Sequence, residues 1–374
     1  YATHILKSNS GVMITGSHNP PEYNGIKIVL GGKTLSEDAI QTLYQVIVDQ
    51  AFTTAKEPGS IREENVVERY LDRVTSDVKL ARPLKIAIDC GNGVGNVTAA
   101  ELYRRLGCEV TELYTEIDGH FPNHHPDPSV PKNVADLTQT IIDKQLDVGI
   151  AFDGDADRIG VVTSGGTMIF PDRQLMLYAI DVLSRHPGAT VIYDVKCSRF
   201  LETVVSEHGG KPIMTRTGHS LLKAAIEEAH AEIGGELSGH IFYKERWYGF
   251  DDAVYTGARL LEILSKQTQT SEEIFAALPN AISTPELKLP ISEAKKFSFM
   301  DDFAKTAEFN DAKIITIDGL RVEFKDGWGL IRPSNTTPYL ILRFEADNED
   351  ALTRIQNIFR EQLLKANASL EIPF

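Results

Sequence analysis

Four short segments carry residues whose types and spacing suit phosphate and sugar chemistry. In Thr15-Gly16-Ser17-His18-Asn19-Pro20-Pro21 a serine sits among Gly, Asn and Pro, which set backbone geometry rather than leave it free. Such a serine can act as nucleophile or phosphate carrier, although an ordinary polar turn has the same composition. His18 reads as a loop-shaping or phosphate-contacting residue, because neighbours in extended backbone point to opposite faces. Lys27 follows on the next strand and gains a functional reading only if Ser17 is real. In Asp153-Gly154-Asp155-Ala156-Asp157-Arg158, three carboxylates within five residues repel one another and suit a hard cation such as Mg²⁺ or Ca²⁺. An EF-hand is excluded, since it needs Gly at its sixth position and Glu at its twelfth, where Arg158 and Ser164 stand.

The third segment is Gly234-Gly235-Glu236-Leu237-Ser238-Gly239-His240. A Glu accepts from two vicinal hydroxyls, Ser238 can assist, and His240 can move a proton near neutrality. A plain hairpin turn fits that segment equally well. The fourth is Arg332-Pro333-Ser334-Asn335-Thr336-Thr337-Pro338, whose guanidinium, hydroxyls, amide and backbone N–H groups match a phosphate dianion better than a generic polar loop. Two other segments are weaker. Gly91-Asn92-Gly93-Val94-Gly95-Asn96 lacks the last glycine of a dinucleotide fingerprint and reads as a tight strand–helix turn. His120, His124 and His125 lack zinc-type spacing and read as a solvated loop.

These segments need elements to hold them. β-branched runs alternate with amphipathic helices, the pattern of an α/β protein. Strands are expected at 10–15, 26–30, 85–89, 109–114, 148–152, 190–194 and 212–215. Helices are expected at 36–49 with Ser36 as cap, from about 97, at 134–145, from 172, after 198 and from 219. From 313 onward the style changes to closely spaced strands at 313–317, 320–324, 329–332 and 339–344, followed by a helix at 348–365, which is α+β.

The chain has 374 residues, too many for one core. Its net charge of −15 argues against nucleic acid and anionic membrane as partners. Three scattered cysteines and no CxxC argue against a disulfide framework and a zinc–thiolate site, so a cytoplasmic location is expected. No apolar run is long enough for a bilayer and no secretory leader is legible.

Taken together, TGSHNP, DGDADR, GE-x-SGH and R-x-SNTTP, in this order, resemble the α-D-phosphohexomutases, and within them the bacterial phosphomannomutase/phosphoglucomutase group. Connecting text at 121–129 (FPNHHPDPS), 194–199 (DVKCSR), 215–220 (TRTGHS) and 244–252 (KERWYGFDD) carries the same resemblance over nearly the whole chain. Glucosamine mutases more often have Ala before the serine and Gln where Leu237 stands.

The resemblance implies three related α/β domains, the first N-terminally incomplete, and a C-terminal α+β domain around a central cleft. The expected divisions are 1–60 (rest of the phosphoserine domain), 61–167 (metal-binding), 168–280 (sugar recognition) and 281–374 (phosphate-binding). It implies that Ser17 is the phosphoserine and that Asp153, Asp155, Asp157 and a phosphoserine oxygen hold one Mg²⁺. Lys27, Arg158 and His240 are the implied catalytic groups. Glu236 and Ser238 are implied to read hydroxyls, and Lys196 and His219 to contact ligand. Arg332, Ser334, Asn335, Thr336 and Thr337 are implied to bind the non-transferring phosphate.

The implied activity is reversible conversion of hexose 1- and 6-phosphates, with hexose 1,6-bisphosphate as intermediate and activator. No obligate protein partner is expected. Family members carry a further N-terminal segment with an active-site Arg and Tyr that is not found here. A phosphatase, a weakly active or non-catalytic sugar-phosphate binder and a glucosamine-phosphate mutase are the alternative expectations.

Overall fold

The computed structural model describes residues 1–334 and 337–374; the expected site residues Asn335 and Thr336 lie outside the described residues. Four sheets follow one another along the chain. The first is a three-stranded antiparallel sheet of Gly11–Ile14, Ile26–Leu30 and Lys33–Thr34, followed by a helix over Asp38–Val48. Here Glu37, not Ser36, occupies the cap position. It makes no side-chain cap bond, and Ser36 contributes its carbonyl to Ala39 N.

The second sheet has the order Glu109–Leu113, Lys85–Asp89, Val148–Phe152, Ile159–Thr163, Met168–Ile169. The third has the order Lys211–Thr215, Thr190–Asp194, Ile233–Gly235, Ile241–Tyr243. In both, the first three strands in chain order are parallel and the fourth returns antiparallel beside the third. The two sheets therefore share one topology, and their chemistry-bearing loops, 153–158 and 236–240, occupy the same third-to-fourth-strand hairpin. The serine loop likewise joins two antiparallel strands, with Ile14 opposite Ile26.

Val148–Phe152 is buried at every residue because helices cover both faces. Leu137 and Ile141 of the helix Ala135–Lys144 pack on Ala87, Ala151 and Val162. On the other face Ile86, Ile88, Ile150 and Val161 join a core that runs on through Leu175, Tyr178 and Leu261 into the third unit. The helix Ala253–Ser265 is buried at all its residues and lies against the second sheet.

The fourth sheet is antiparallel, with Tyr339–Ala346 at its centre between Gly327–Pro333 and the short strands Ile282–Ser283 and Leu287–Pro290. The helix Glu349–Ala366 is capped by Asn348, which accepts from Ala351 N at 2.9 Å. Its Leu352, Ile355, Phe359 and Leu363, at helical spacing, cover that sheet. This unit is fastened to the third. Arg321, fully buried and stacked on Trp328 with its Cζ 3.9 Å from the ring centroid, donates to the carbonyls of Val195 and Cys197 at 2.7 Å each. Arg343 donates to the carbonyl of Lys196 at 2.6 Å.

Candidate active site

Ser17 has φ +51°, a left-handed conformation that costs a non-glycine residue about 1–2 kcal/mol and marks a constrained site. Local bonds hold it there. Ser17 N donates to Thr15 Oγ1 at 2.8 Å, and Thr15 Oγ1 donates to Asp155 Oδ2 at 2.8 Å. The same backbone turn removes the geometric ground for setting His18 apart from the serine, that neighbours point to opposite faces. Because Ser17 is not extended, its neighbour's Nδ1 comes to 3.0 Å from Ser17 Oγ. Burial, reinforced by the Arg158 charge, lowers His18 to about 4, so the ring is neutral near neutrality. Its Nδ1 accepts from Arg158 Nη2, so it is no free base for the serine.

Ser17 Oγ donates to Asp153 Oδ2 at 3.0 Å. Asp153 is fully buried; its Oδ1 also accepts from the backbone N–H groups of Asp157 and Arg158, and its Oδ2 from Arg158 Nε at 3.0 Å. Burial, then the adjacent Asp157 charge, pushes Asp153 up to about 7 against the pull of Arg158. Gly154 makes the approach of the two loops feasible. A Cβ there would overlap the Ser17 carbonyl oxygen and lie 2.9 Å from its carbon. Gly93 backs onto Gly154 in turn, with Val94 N donating to the Gly154 carbonyl at 2.9 Å. The glycine-rich 91–96 segment is thus a buttress for the acidic loop.

One oxygen each of Asp153, Asp155 and Asp157 lie within 4.8 Å of one another. Asp155 Oδ1 and Asp157 Oδ1 are buried and accept no hydrogen bond among the described residues, although Asp157 Oδ1 lies 3.2 Å from His240 Nε2 at ion-pair range. Three converging carboxylates with orphaned oxygens fit a hard divalent cation. Lys27 Nζ supplies counter-charge from one side, 2.8 Å from Asp155 Oδ2 and in contact with Asp157 Oδ2. Burial alone would lower Lys27, but Asp157 and Asp155 outweigh it and raise its pKa.

The loop 236–240 joins through the backbone, with Ile159 N donating to the Gly239 carbonyl at 3.1 Å and a bridge pairing Arg158 with His240. His240 Nδ1 lies 2.8 Å from Glu236 Oε2 and 2.9 Å from Ser238 Oγ. Burial opposes protonation of His240, yet Asp157 and then Glu236 raise it to about 10. His219 stacks on His240 with ring centroids 5.7 Å apart and is held by Asp251 at 3.3 Å. Lys196 Nζ is bonded to Glu286 at 2.7 Å, with Asp194 at 3.9 Å.

Arg332 Nε donates to Asp318 Oδ2 at 2.9 Å, and Ser334 Oγ lies 2.7 Å from Thr337 Oγ1. Arg332 is linked to Glu236 through Asp318 and the Thr217–Gly218 backbone.

Models of the family "phosphoglucomutase/phosphomannomutase" match in order: alpha/beta/alpha domain I at 1–54, domain II at 68–166, domain III at 170–282 and the C-terminal domain at 286–362. The chain belongs to the phosphoglucomutase/phosphomannomutase family. It is 51% identical, over all 374 residues, to a phosphomannomutase/phosphoglucomutase of Pseudomonas putida, spanning 80% of that protein. It is 54% identical to a phosphoglucomutase of Neisseria meningitidis serogroup A, over 97% of this chain and 79% of the relative. A crystal structure of a phosphoglucomutase/phosphomannomutase family protein from Burkholderia thailandensis superposes with a TM-score of 0.93 at 52% identity, covering 98% of this chain and 78% of that one.

Several contacts in this family member escaped the sequence reading. His124 is not solvated: its Nε2 lies 3.1 Å from both oxygens of the fully buried Asp89, pinning the loop that carries Asp127 beside Arg158. Lys296, fully buried, donates to the Thr337 carbonyl at 3.2 Å. The FPNHHPDPS segment carried the family resemblance but no sign of the His124 contact, and nothing in the local sequence pointed to that of Lys296. No described helix is long and apolar enough to cross a membrane.

Proposed function

We propose that this chain interconverts hexose 1-phosphates and hexose 6-phosphates of glucose and mannose through phosphorylation of Ser17. The observation that carries the reading is the 3.0 Å bond from Ser17 Oγ to Asp153, inside a cluster of three buried-loop carboxylates flanked by Lys27 and Arg158. Among the described residues no feature favours a phosphatase, a non-catalytic binder or a glucosamine-phosphate mutase. We further propose Asp153, Asp155 and Asp157 as the Mg²⁺ ligands. When bound, the ion adds positive charge beside the transferring phosphoryl group.

In the first half-reaction a sugar hydroxyl oxygen bonds to phosphorus while the bond from phosphorus to Ser17 Oγ breaks. The hydroxyl gives up a proton and Ser17 Oγ gains one. Lys27 and His240, which both touch Asp157 and are held protonated by it, form the acid/base pair: the proton one of them gives to Ser17 Oγ is replaced by the one the sugar hydroxyl releases. Arg158 lies against Asp153 and so beside the serine, where its charge steadies the phosphoryl oxygens. Glu236 and Ser238 hold vicinal hydroxyls, and Lys196 and His219 line the sugar. Arg332, Ser334 and Thr337 hold the distal phosphate, with Asn335 and Thr336 assigned to the same loop. The hexose 1,6-bisphosphate then turns end for end and returns its other phosphate to Ser17. Four units divided at 1–60, 61–167, 168–280 and 281–374 supply one loop each, which accords with the ranges of the family matches.

The test is Ser17→Ala in a coupled assay from glucose 1-phosphate to glucose 6-phosphate. The account expects loss of steady turnover with an unchanged melting temperature; normal turnover would sink it.

A further inference from the structure

We propose that Asp318 is a positioning residue that aims Arg332 at the distal phosphate and ties that phosphate site to the sugar reader through the Thr217–Gly218 backbone. The proposal rests on the reading of the Arg332 loop as a phosphate cradle.

One carboxylate oxygen, Asp318 Oδ2, accepts from Arg332 Nε at 2.9 Å and from Thr217 N at 3.0 Å. The turn keeps it there. Gly319 has φ +76°, and a Cβ at that position would lie 2.6 Å from Arg332 Cα, so Asp318 is folded directly against the arginine's strand. With Nε occupied, the guanidinium plane is fixed. Its Nη2 is buried and donates to no partner among the described residues. A fixed guanidinium with an unused buried donor is prepared for an anion, because its planar fork matches a phosphate edge.

The second bond reaches into another unit. Thr217 N faces Asp318, while the next N–H, that of Gly218, donates to Glu236 Oε1 at 2.5 Å. Thr217 Oγ1 donates to the buried Asp194 at 3.0 Å, and Arg216 Nη2 lies 3.1 Å from Glu37 in the first unit. Three consecutive residues are therefore bonded to the first, third and fourth units. Gly218, at φ +140°, takes a backbone conformation closed to most other residues, so the path by which the chain leaves this pair of N–H groups depends on glycine. A displacement of Arg332 is transmitted through Asp318 to Thr217, and one peptide further on to the carboxylate that reads the sugar.

Kinetics with glucose 1-phosphate test this in Asp318→Asn, Asp318→Ala, Arg332→Ala, Glu236→Gln and the double variants. Melting curves establish that each is folded, and the near-isosteric Asn keeps the test alive if the Ala variant is not. The proposal expects both Asp318 variants to raise KM roughly tenfold or more, the effect of losing one charge-assisted hydrogen bond, with kcat changed much less. Adding Asp318→Ala to Arg332→Ala or to Glu236→Gln should cost far less than the product of the single effects. A KM unchanged in folded Asp318 variants, or effects that multiply with either partner, overturns the proposal. If Arg332→Ala itself leaves KM unchanged, the cradle reading fails and this proposal falls with it. An impaired Arg332→Ala beside normal Asp318 variants defeats only the positioning role.

Discussion

Replacing Gly154 by alanine places one methyl group between the serine loop and the acidic loop. The added Cβ would overlap the Ser17 carbonyl oxygen and stand 2.9 Å from its carbon, whereas real Cβ atoms essentially never approach a heavy atom within 3.0 Å. Neither neighbour is a flexible side chain, so backbone must give. Gly93 packs closely on Gly154, since a Cβ built on Gly93 would lie 2.6 Å from the Gly154 carbonyl oxygen, and this leaves the acidic loop little room to shift. The serine loop must move, by on the order of 1 Å, a misplacement that can cost ~10²-fold in rate. That corresponds to about 2.7 kcal/mol of transition-state stabilisation. The overpacked contact should cost folding stability about 1–3 kcal/mol. The assay is turnover of glucose 1-phosphate beside Gly59→Ala, where an added Cβ meets nothing within 4 Å. The account expects a loss near a hundredfold for Gly154→Ala and none for the control. A folded Gly154→Ala protein with turnover within threefold of the parent would refute the claim that these loops must touch.

Two further outcomes follow from the same geometry. Asp155→Asn removes one charge from the carboxylate cluster and from Lys27, so half-maximal activity should need at least several-fold more Mg²⁺; an unchanged Mg²⁺ titration contradicts the ligand assignment. Arg259 is fully buried, 2.7 Å from Glu245 and stacked over Tyr243, so Arg259→Ala should cost about 3 kcal/mol. The figure sits at the low end for a broken buried pair because Arg185 still holds Glu245 at 2.9 Å. Urea unfolding that shows less than about 1 kcal/mol of loss would contradict it.

The sequence was most legible where chemistry and turn formation coincide. Loops at 15–21, 153–158, 236–240 and 332–338 each interrupt a regular hydrophobic pattern with polar groups; singly some of them read as ordinary turns, and it is the set of four that points to phosphate and sugar chemistry. The parallel strands were legible for a related reason, since burial on both faces makes them continuous apolar runs such as 148–152. The helix Ala253–Ser265 was not, although Thr256, Arg259, Glu262 and Ser265 recur at helical spacing; that polar stripe is itself buried, with Arg259 paired to the sequence-distant Glu245. The strands Ile282–Ser283 and Leu287–Pro290 are short, and prolines in and between them read as linker.

Within the site, residue types announced Ser17 and the aspartates, but backbone conformation did not announce itself. The positive φ of Ser17 is what brings His18 beside the hydroxyl, and nothing in the local composition requires it. Long-range partners such as Asp89 for His124 and Asp318 for Arg332 depend on how distant segments pack within a unit, and Glu286 for Lys196 on how two units dock, neither of which local pattern encodes.

The most direct measurement is the location of covalent phosphate on the chain. Protein incubated with Mg²⁺ and glucose 1,6-bisphosphate is weighed intact and then digested. The account predicts a species about 80 Da heavier, with the added mass on the peptide containing Ser17 and discharged by excess glucose 6-phosphate. Phosphate on any other residue, or an active enzyme that never carries it, would contradict the account.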